Sequence, residues 1–166
     1  MKHHRFSPVL AAVVGAVAMT TVGAAYSIPV PAGTTFSVHL VTSLSSSSSS
    51  AGQTFAITAA QPLLVQGRVV VFEGQTGQGH VVSVTAPSKK SKASIVVQFD
   101  WITAAEGKRL TLVAAKTDKG FGPLTVGAGG IMADQFAKAK SIELGQDMSF
   151  TAYVNPDQQV TVISSS

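Results

Sequence analysis

Beyond its N-terminal segment, this 166-residue sequence offers few groups for chemistry: two histidines, His39 and His80, eight acidic residues and many serines. A zinc site calls for three or four converging ligands. The chain has no cysteine, its two histidines lie far apart, and Glu73, Asp100, Glu106, Asp118, Asp134, Glu143, Asp147 and Asp157 form no spaced cluster. His39 falls on the polar face of its strand. His80 shares parity with Val82 and Val84, which places it at a barrel interior or mouth as a hydrogen-bonded core histidine. No Gly-x-Ser-x-Gly elbow is present, and a Ser-His-Asp triad would have to be gathered from unrelated segments. Asp100 beside Trp101 is the one pair that could handle a sugar. Neighbouring strand residues point to opposite faces, however, which assigns Trp101 to the core. Gly74-Gln-Thr-Gly-Gln-Gly lacks the following helix of a phosphate or dinucleotide loop. Phe36, Phe55, Phe99 and Phe150 sit on apolar faces, unlike the exposed aromatics that stack on nucleic acid. The expectation is a protein that is not an enzyme, with no catalytic, cofactor-binding or metal-binding residues. The only candidate partner contact is Lys89, Lys90 and Lys92, in Pro87-Ser-Lys-Lys-Ser-Lys, a solvated hairpin tip able to meet an anionic surface.

The elements that carry these residues read as strands, because apolar side chains recur with period two. Phe36, Val38 and Leu40 share one face, as do Phe55, Ile57 and Ala59. Ile95, Val97, Phe99 and Trp101 form the strongest alternation; Leu110, Leu112 and Ala114, and then Met148, Phe150, Ala152 and Val154, follow it. Leu63–Val65 and Val69–Phe72 flank Gln66-Gly67 and read as a hairpin buried on both sides. Ala86-Pro87-Ser88, Glu106-Gly107 and Asn155-Pro156-Asp157 mark turns. A glycine opens a strand four times, at Gly33, Gly52, Gly74 and Gly145, as a recurring corner. Two stretches break the pattern. Ser45–Ser50 is a run of six serines, read as a flexible loop. Gly127-Ala-Gly-Gly leads into residues 131–140, where Ile131, Gln135 and Ala139 are four apart, as are Met132 and Phe136; a short helix ending in two lysines is expected there. The fold class is therefore all-β: a small antiparallel barrel or sandwich with one short helix over about 131–140, preceded by a signal peptide.

The N-terminus has the secretory order of basic, apolar and small residues. Lys2 and Arg5 precede the run Val9 to Met19, and Val22-Gly23-Ala24-Ala25-Tyr26-Ser27 closes it. Cleavage after Ala25 fits, with Ala24 and Ser27 as near equals. Thr20 and Thr21 interrupt the run before the roughly 20 apolar residues of a membrane span, and with no cysteine a lipid anchor is excluded. Cleavage leaves 141 residues (166 less 25), one domain that must build its core without disulfides. Loss of Lys2 and Arg5 lowers the basic residues from 12 to 10 against 8 acids, taking the net charge from +4 to +2 and weakening any case for nucleic acid. The division is residues 1–25 signal peptide, 28–119 main barrel, 120–141 Gly-rich segment and helix, and 142–163 a C-terminal β-hairpin completing the same domain.

Pro31-Ala-Gly-Thr, Leu40-Val-Thr-Ser-Leu-Ser-Ser, Ala51-Gly-Gln-Thr-Phe and Gly67-Arg-Val-Val-Val-Phe-Glu-Gly-Gln-Thr-Gly-Gln-Gly follow one grammar, continued by the Ile95–Trp101 strand closed at Gly107. Over roughly residues 28–162 the chain resembles the C-terminal β-barrel module of the channel scaffold subunit of type IV secretion and conjugation systems. It equally resembles uncharacterised exported bacterial proteins built on that module, whose Gly-rich ending is similar to Gly127–Gly130 and Glu143-Leu-Gly-Gln-Asp-Met-Ser-Phe-Thr-Ala-Tyr-Val. Phe72-Glu73-Gly74 stands where a Pro-Ala-Gly corner is usual. No membrane anchor, Pro-rich stalk or helical channel-forming insertion is present, which favours the stand-alone group. The resemblance implies architecture and brings no catalytic residues. An outer-membrane pore would need strands of about 9–11 residues with an apolar outer band, and most strands here read shorter. The expected function is an exported, periplasmic or extracellular, non-catalytic envelope protein, a binding or structural barrel acting through protein or glycan contacts. The alternative is an accessory component of a secretion or conjugation apparatus. No cofactor, nucleic-acid partner or transmembrane segment after cleavage is expected.

Overall fold

A computed structural model describes residues 24–146 and 148–163. Of the expected signal segment, only Ala24 and Ala25 fall within them. The chain is all-β and antiparallel, and contains a closed six-stranded barrel. In order, the strands are β1 (Ala25–Val30), β2 (Thr35–Leu40), β3 (Leu44–Ser45), β4 (Thr54–Ala59), β5 (Leu63–Val65), β6 (Arg68–Val71), β7 (Thr76–Thr85), β8 (Ser94–Thr103), β9 (Arg109–Val113), β10 (Ala115–Thr117), β11 (Gly120–Gly122), β12 (Leu124–Gly127), β13 (Glu143–Leu144), β14 (Ser149–Val154) and β15 (Gln158–Ile163).

The barrel runs β8-β7-β4-β2-β14-β9 and closes when β9 returns to β8. Closure removes the open sheet edges that would otherwise invite pairing with other chains. Strand β8 makes this possible by its length. Its first residues, Ser94–Val97, pair with β12, its last, Trp101–Thr103, pair with β9, and β7 runs along nearly all of it. The alternating apolar residues fill the interior: Phe36, Val38, Leu40, Phe55, Ile57, Ile95, Val97, Phe99, Leu110, Leu112, Phe150 and Val154 are all buried. Phe99 stands at the centre, with Phe55 and Phe150 meeting it edge-on at 6.3 and 6.4 Å between ring centroids. Full burial of such a ring stabilises by roughly 1.5–3 kcal/mol, and each edge-to-face pair adds about 0.5–1.5 kcal/mol. Outside the barrel, β1 pairs with β15, and this ribbon lies against the β5–β6 hairpin and β9. Ile28, Val30, Val160 and Val162 carry its inner face into the common core.

Four expectations about the elements are corrected. Residues 131–140 form turns and no helix; among the described residues there is none. The backbone of Ile131 is taken by β12, its N–H donating to Thr125 O and its carbonyl accepting from Gly127 N–H. Met132 then adopts φ 57°, a left-handed conformation that stops a helix at its first turn. Ten residues with weak nucleation lose to those local bonds, although Met132 and Phe136 still pack against the core. The C-terminal hairpin is also absent, since β14 inserts between β2 and β9 while β15 leaves to pair with β1. The β5–β6 hairpin does form around Gln66 (φ 54°) and Gly67 (φ 75°), but it is buried on one face only, and Leu64 is 54% exposed. Of the four glycine corners, Gly33, Gly52 and Gly74 have positive φ, and Gly145 does not.

The serine run is built rather than loose. Ser45 and Ser46 are buried. Ser45 Oγ donates to Glu143 Oε1 at 2.6 Å, and Ser45 N–H donates to Ser49 Oγ at 2.9 Å. Ser46 and Ile142 exchange two bonds, Ser46 N–H to Ile142 O at 2.9 Å and Ile142 N–H to Ser46 Oγ at 2.8 Å. Serine hydroxyls thus satisfy the backbone where the short β3–β13 ladder runs out.

Candidate functional site

The pairing of β7 with β8 contains an extra residue. Gly79 pairs with Phe99 and Gln78 with Trp101, which leaves Asp100 unpaired in a bulge. A bulge breaks the period of two and re-aims the side chains around it. Phe99 and Ile102 both point into the barrel, so Asp100 and Trp101 between them both face outward, half-buried. This corrects two expectations at once: Trp101 is not a core residue, and Asp100 and Trp101 share a face. Two inward glycines on β7 admit the bulge. A Cβ on Gly79 would lie 2.5 Å from both Gln98 O and Phe55 Cζ, and one on Gly77 would run into the backbone oxygen of Trp101.

His80 is likewise on the outer face, between the inward Gly79 and Val81. Its expected place in the interior or mouth is therefore corrected: Val82 is exposed on the same side, and the second bulge, at Val81–Ser83, turns Val84 toward the core and breaks its parity with both. His80 Nδ1 lies 2.9 and 3.0 Å from the two oxygens of Asp100, with side-chain exposures of 39% and 29%. The carboxylate fixes the ring orientation. Among the described residues the side-chain partner of His80 is Asp100. His39 is half-exposed on β2, opposite Thr58.

Trp101 is held from one side. Arg109, on β9, places its guanidinium carbon 4.2 Å from the ring centroid, a stacked cation–π contact. Trp101 also lines a cavity of about 310 Å³ with Thr42, Thr54, Phe55, Ala56, Gly77 and Gln78. The residues other than Trp101 come from β4, β7 and the turn after β2, on the opposite side of β8 from β9. Gln78, Thr54 and Arg109 were not legible as site residues, because nothing in their spacing separates them from ordinary outward strand positions. Among the described residues no three His, Asp or Glu side chains converge.

Lys89, Lys90 and Lys92 lie at the tip of the β7–β8 hairpin, all exposed. The turn is fixed by Ser88, whose N–H donates to Ser91 O at 2.8 Å and whose Oγ accepts from the N–H groups of Lys90 and Ser91 at 3.2 and 3.1 Å. Neither of the two ion pairs among the described residues, His80–Asp100 and Lys108–Glu106, involves the tip lysines. A second basic segment is fastened beside the tip. Ala128 N–H donates to Ala93 O at 3.1 Å, and Ile142 and Ala93 both abut Gly127. Lys92 adjoins one of these anchors and Lys140 is two residues from the other, with Lys138 just before it; both are exposed. The tip and the bulge are separated by the length of β7, from Gln78 to Thr85, roughly 23 Å at strand rise. No protein-family model and no curated protein matches the chain.

Proposed function

We propose that this protein is an exported, non-catalytic binding barrel of the bacterial envelope, which engages an envelope protein or glycan through its lysine-bearing end. The observation that carries the reading is the set of exposed lysines at one end of the closed barrel: Lys89, Lys90 and Lys92 on a hydrogen-bonded turn, with Lys138 and Lys140 tethered alongside. Charges held clear of neutralising partners raise the local concentration of anionic ligands and speed encounter. The N-terminal order of basic, apolar and small residues supports export.

The test is crosslinked capture of the mature protein from intact cells, beside a Lys89→Ala, Lys90→Ala, Lys92→Ala triple variant. The wild type is expected to retain envelope components that the triple variant loses while keeping its fold by circular dichroism. Identical capture by both would remove the tip as the contact. A second reading is favoured by the barrel itself, which is the architecture implied by the likeness to the secretion-channel scaffold module. In that case the captured partners would be secretion or conjugation subunits.

A further inference from the structure

We infer that the groove beside Trp101 is a binding site for a neutral glycan, with one pyranose ring stacked on the free face of the indole. The site is distinct from the lysine tip, about seven strand residues away, and it does not depend on the tip being a contact.

The groove has a definite shape. Across the barrel wall the strand order is β2-β4-β7-β8-β9. Thr42, just past the end of β2, forms one rim, and Trp101 on β8 forms the opposite wall. Between them the floor is two strands wide, about 10 Å at the usual strand spacing. It is made of Ala56 and Gln78, which pair directly, with Thr54 beside them. Gln78 pairs directly with Trp101 and Ala56 lies one strand further out, so the indole bounds a shallow floor with an amide at its foot and a methyl beyond it. The 310 Å³ volume is at the small end of ligand pockets, suited to one or two sugar units.

The chemistry is equally restricted. The groove offers an aromatic face, a side-chain amide and two hydroxyls, with no charged residue among those lining it. An indole face takes the C–H face of a pyranose, while Gln78, Thr42 and Thr54 can both donate to and accept from ring hydroxyls. His80 pairs with Thr54 across β4 and β7, which puts the His80–Asp100 pair at one end of the slot. Its fixed imidazole supplies a further polar contact for the next sugar along. A peptide read by strand addition would need an open sheet edge or apolar pockets for alternate side chains. These strands are paired on both sides, and the slot has a single aromatic wall.

The ring is also preorganised. Arg109, from β9, stacks over the indole at 4.2 Å and restrains it. Bulges that re-aim a side chain cluster beside functional sites, and here the bulge places an aromatic and a carboxylate side by side on the outer wall.

Trp101 is the only tryptophan in the chain, so its fluorescence reports this site alone. The experiment titrates the mature protein with hexasaccharides of β-linked glucose, α-linked glucose and N-acetylglucosamine, following indole emission, with a proline-rich peptide in parallel. A saturable emission change is expected with at least one sugar. Gln78→Ala, which keeps the reporter and changes an outward position, should weaken that binding about fivefold. Trp101→Ala, followed by calorimetry, should weaken it about tenfold or more. No saturable change with any of the three sugars overturns the inference, as does a response to the peptide alone or a sugar response that Gln78→Ala leaves unchanged. The lysine triple variant should bind the sugar like wild type, so failure at the tip and failure at the groove are told apart.

Discussion

The two ends of the β7–β8 hairpin present their side chains by opposite means. At the tip, three lysines project from a turn held by Ser88, and nothing in the barrel packs around them. At the base, Trp101 and Asp100 are placed by the barrel itself: an extra residue in β8, two glycines on β7, the ring of Phe55 beneath, and Arg109 alongside. The tip presents charge, which acts over a Debye length and tolerates imprecise positions. The base presents shape, which acts only at contact and needs the surrounding core to hold it. One continuous pair of strands thus carries a long-range and a short-range surface, and the two differ in how far they depend on the fold.

That contrast can be broken at the base first. Gly79→Ala is expected to have the largest effect, because its Cβ meets the Gln98 carbonyl and the Phe55 ring, neither of which has room to retreat. A loss of about 2 kcal/mol or more in denaturant unfolding follows from overpacking of this kind. Wild-type stability in this variant would mean that the bulge has slack and that Trp101 is not rigidly placed. Deletion of Asp100 is expected to be milder. The pairs Gly77–Ile102, Gln78–Trp101 and Gly79–Phe99 would then follow one another without interruption, with Trp101 still outward and the His80 ring deprived of its carboxylate. Retained strand circular dichroism and a cooperative transition would support Asp100 as the inserted residue, and an unfolded deletion would assign the register elsewhere. The lysine triple variant sits at the bottom of the scale. No packing is removed, so its unfolding midpoint should match wild type, and a clear fall would show that the tip contributes to the fold after all.

Much of the barrel was legible in the sequence because most of its strands keep strict alternation. Phe36, Val38 and Leu40, Phe55, Ile57 and Ala59, and Phe150, Ala152 and Val154 are buried as their parity implies. The bulge was legible in principle. The apolar series Ile95, Val97, Phe99 changes phase and resumes at Ile102 and Ala104, and a strand that changes phase must contain an odd residue. Reading Trp101 as the continuation of the series hid that shift. The candidate groove depends on pairings between strands distant in sequence, which period two does not encode, so Gln78 and Thr54 had no visible link to Trp101. Residues 131–140 carried a helical spacing that lost to a backbone bond with β12, and the six serines looked featureless because their bonding partners, Ile142 and Glu143, lie almost a hundred residues away.

The strand pairing also sets an order of events. Strand β2 waits for β14, and β1 waits for β15, with Ala25 facing Ile163. The first strand of the described chain therefore finds its partner only in the last, and β2, which also pairs with β4, completes the barrel wall only through β14. A ribosome or an export channel delivering this polypeptide from its N-terminus releases nearly the whole chain before the barrel can close. Pairings of such long sequence separation are slow to form, so the β2-β4-β7-β8 part of the wall can assemble early while closure of the barrel waits for β14.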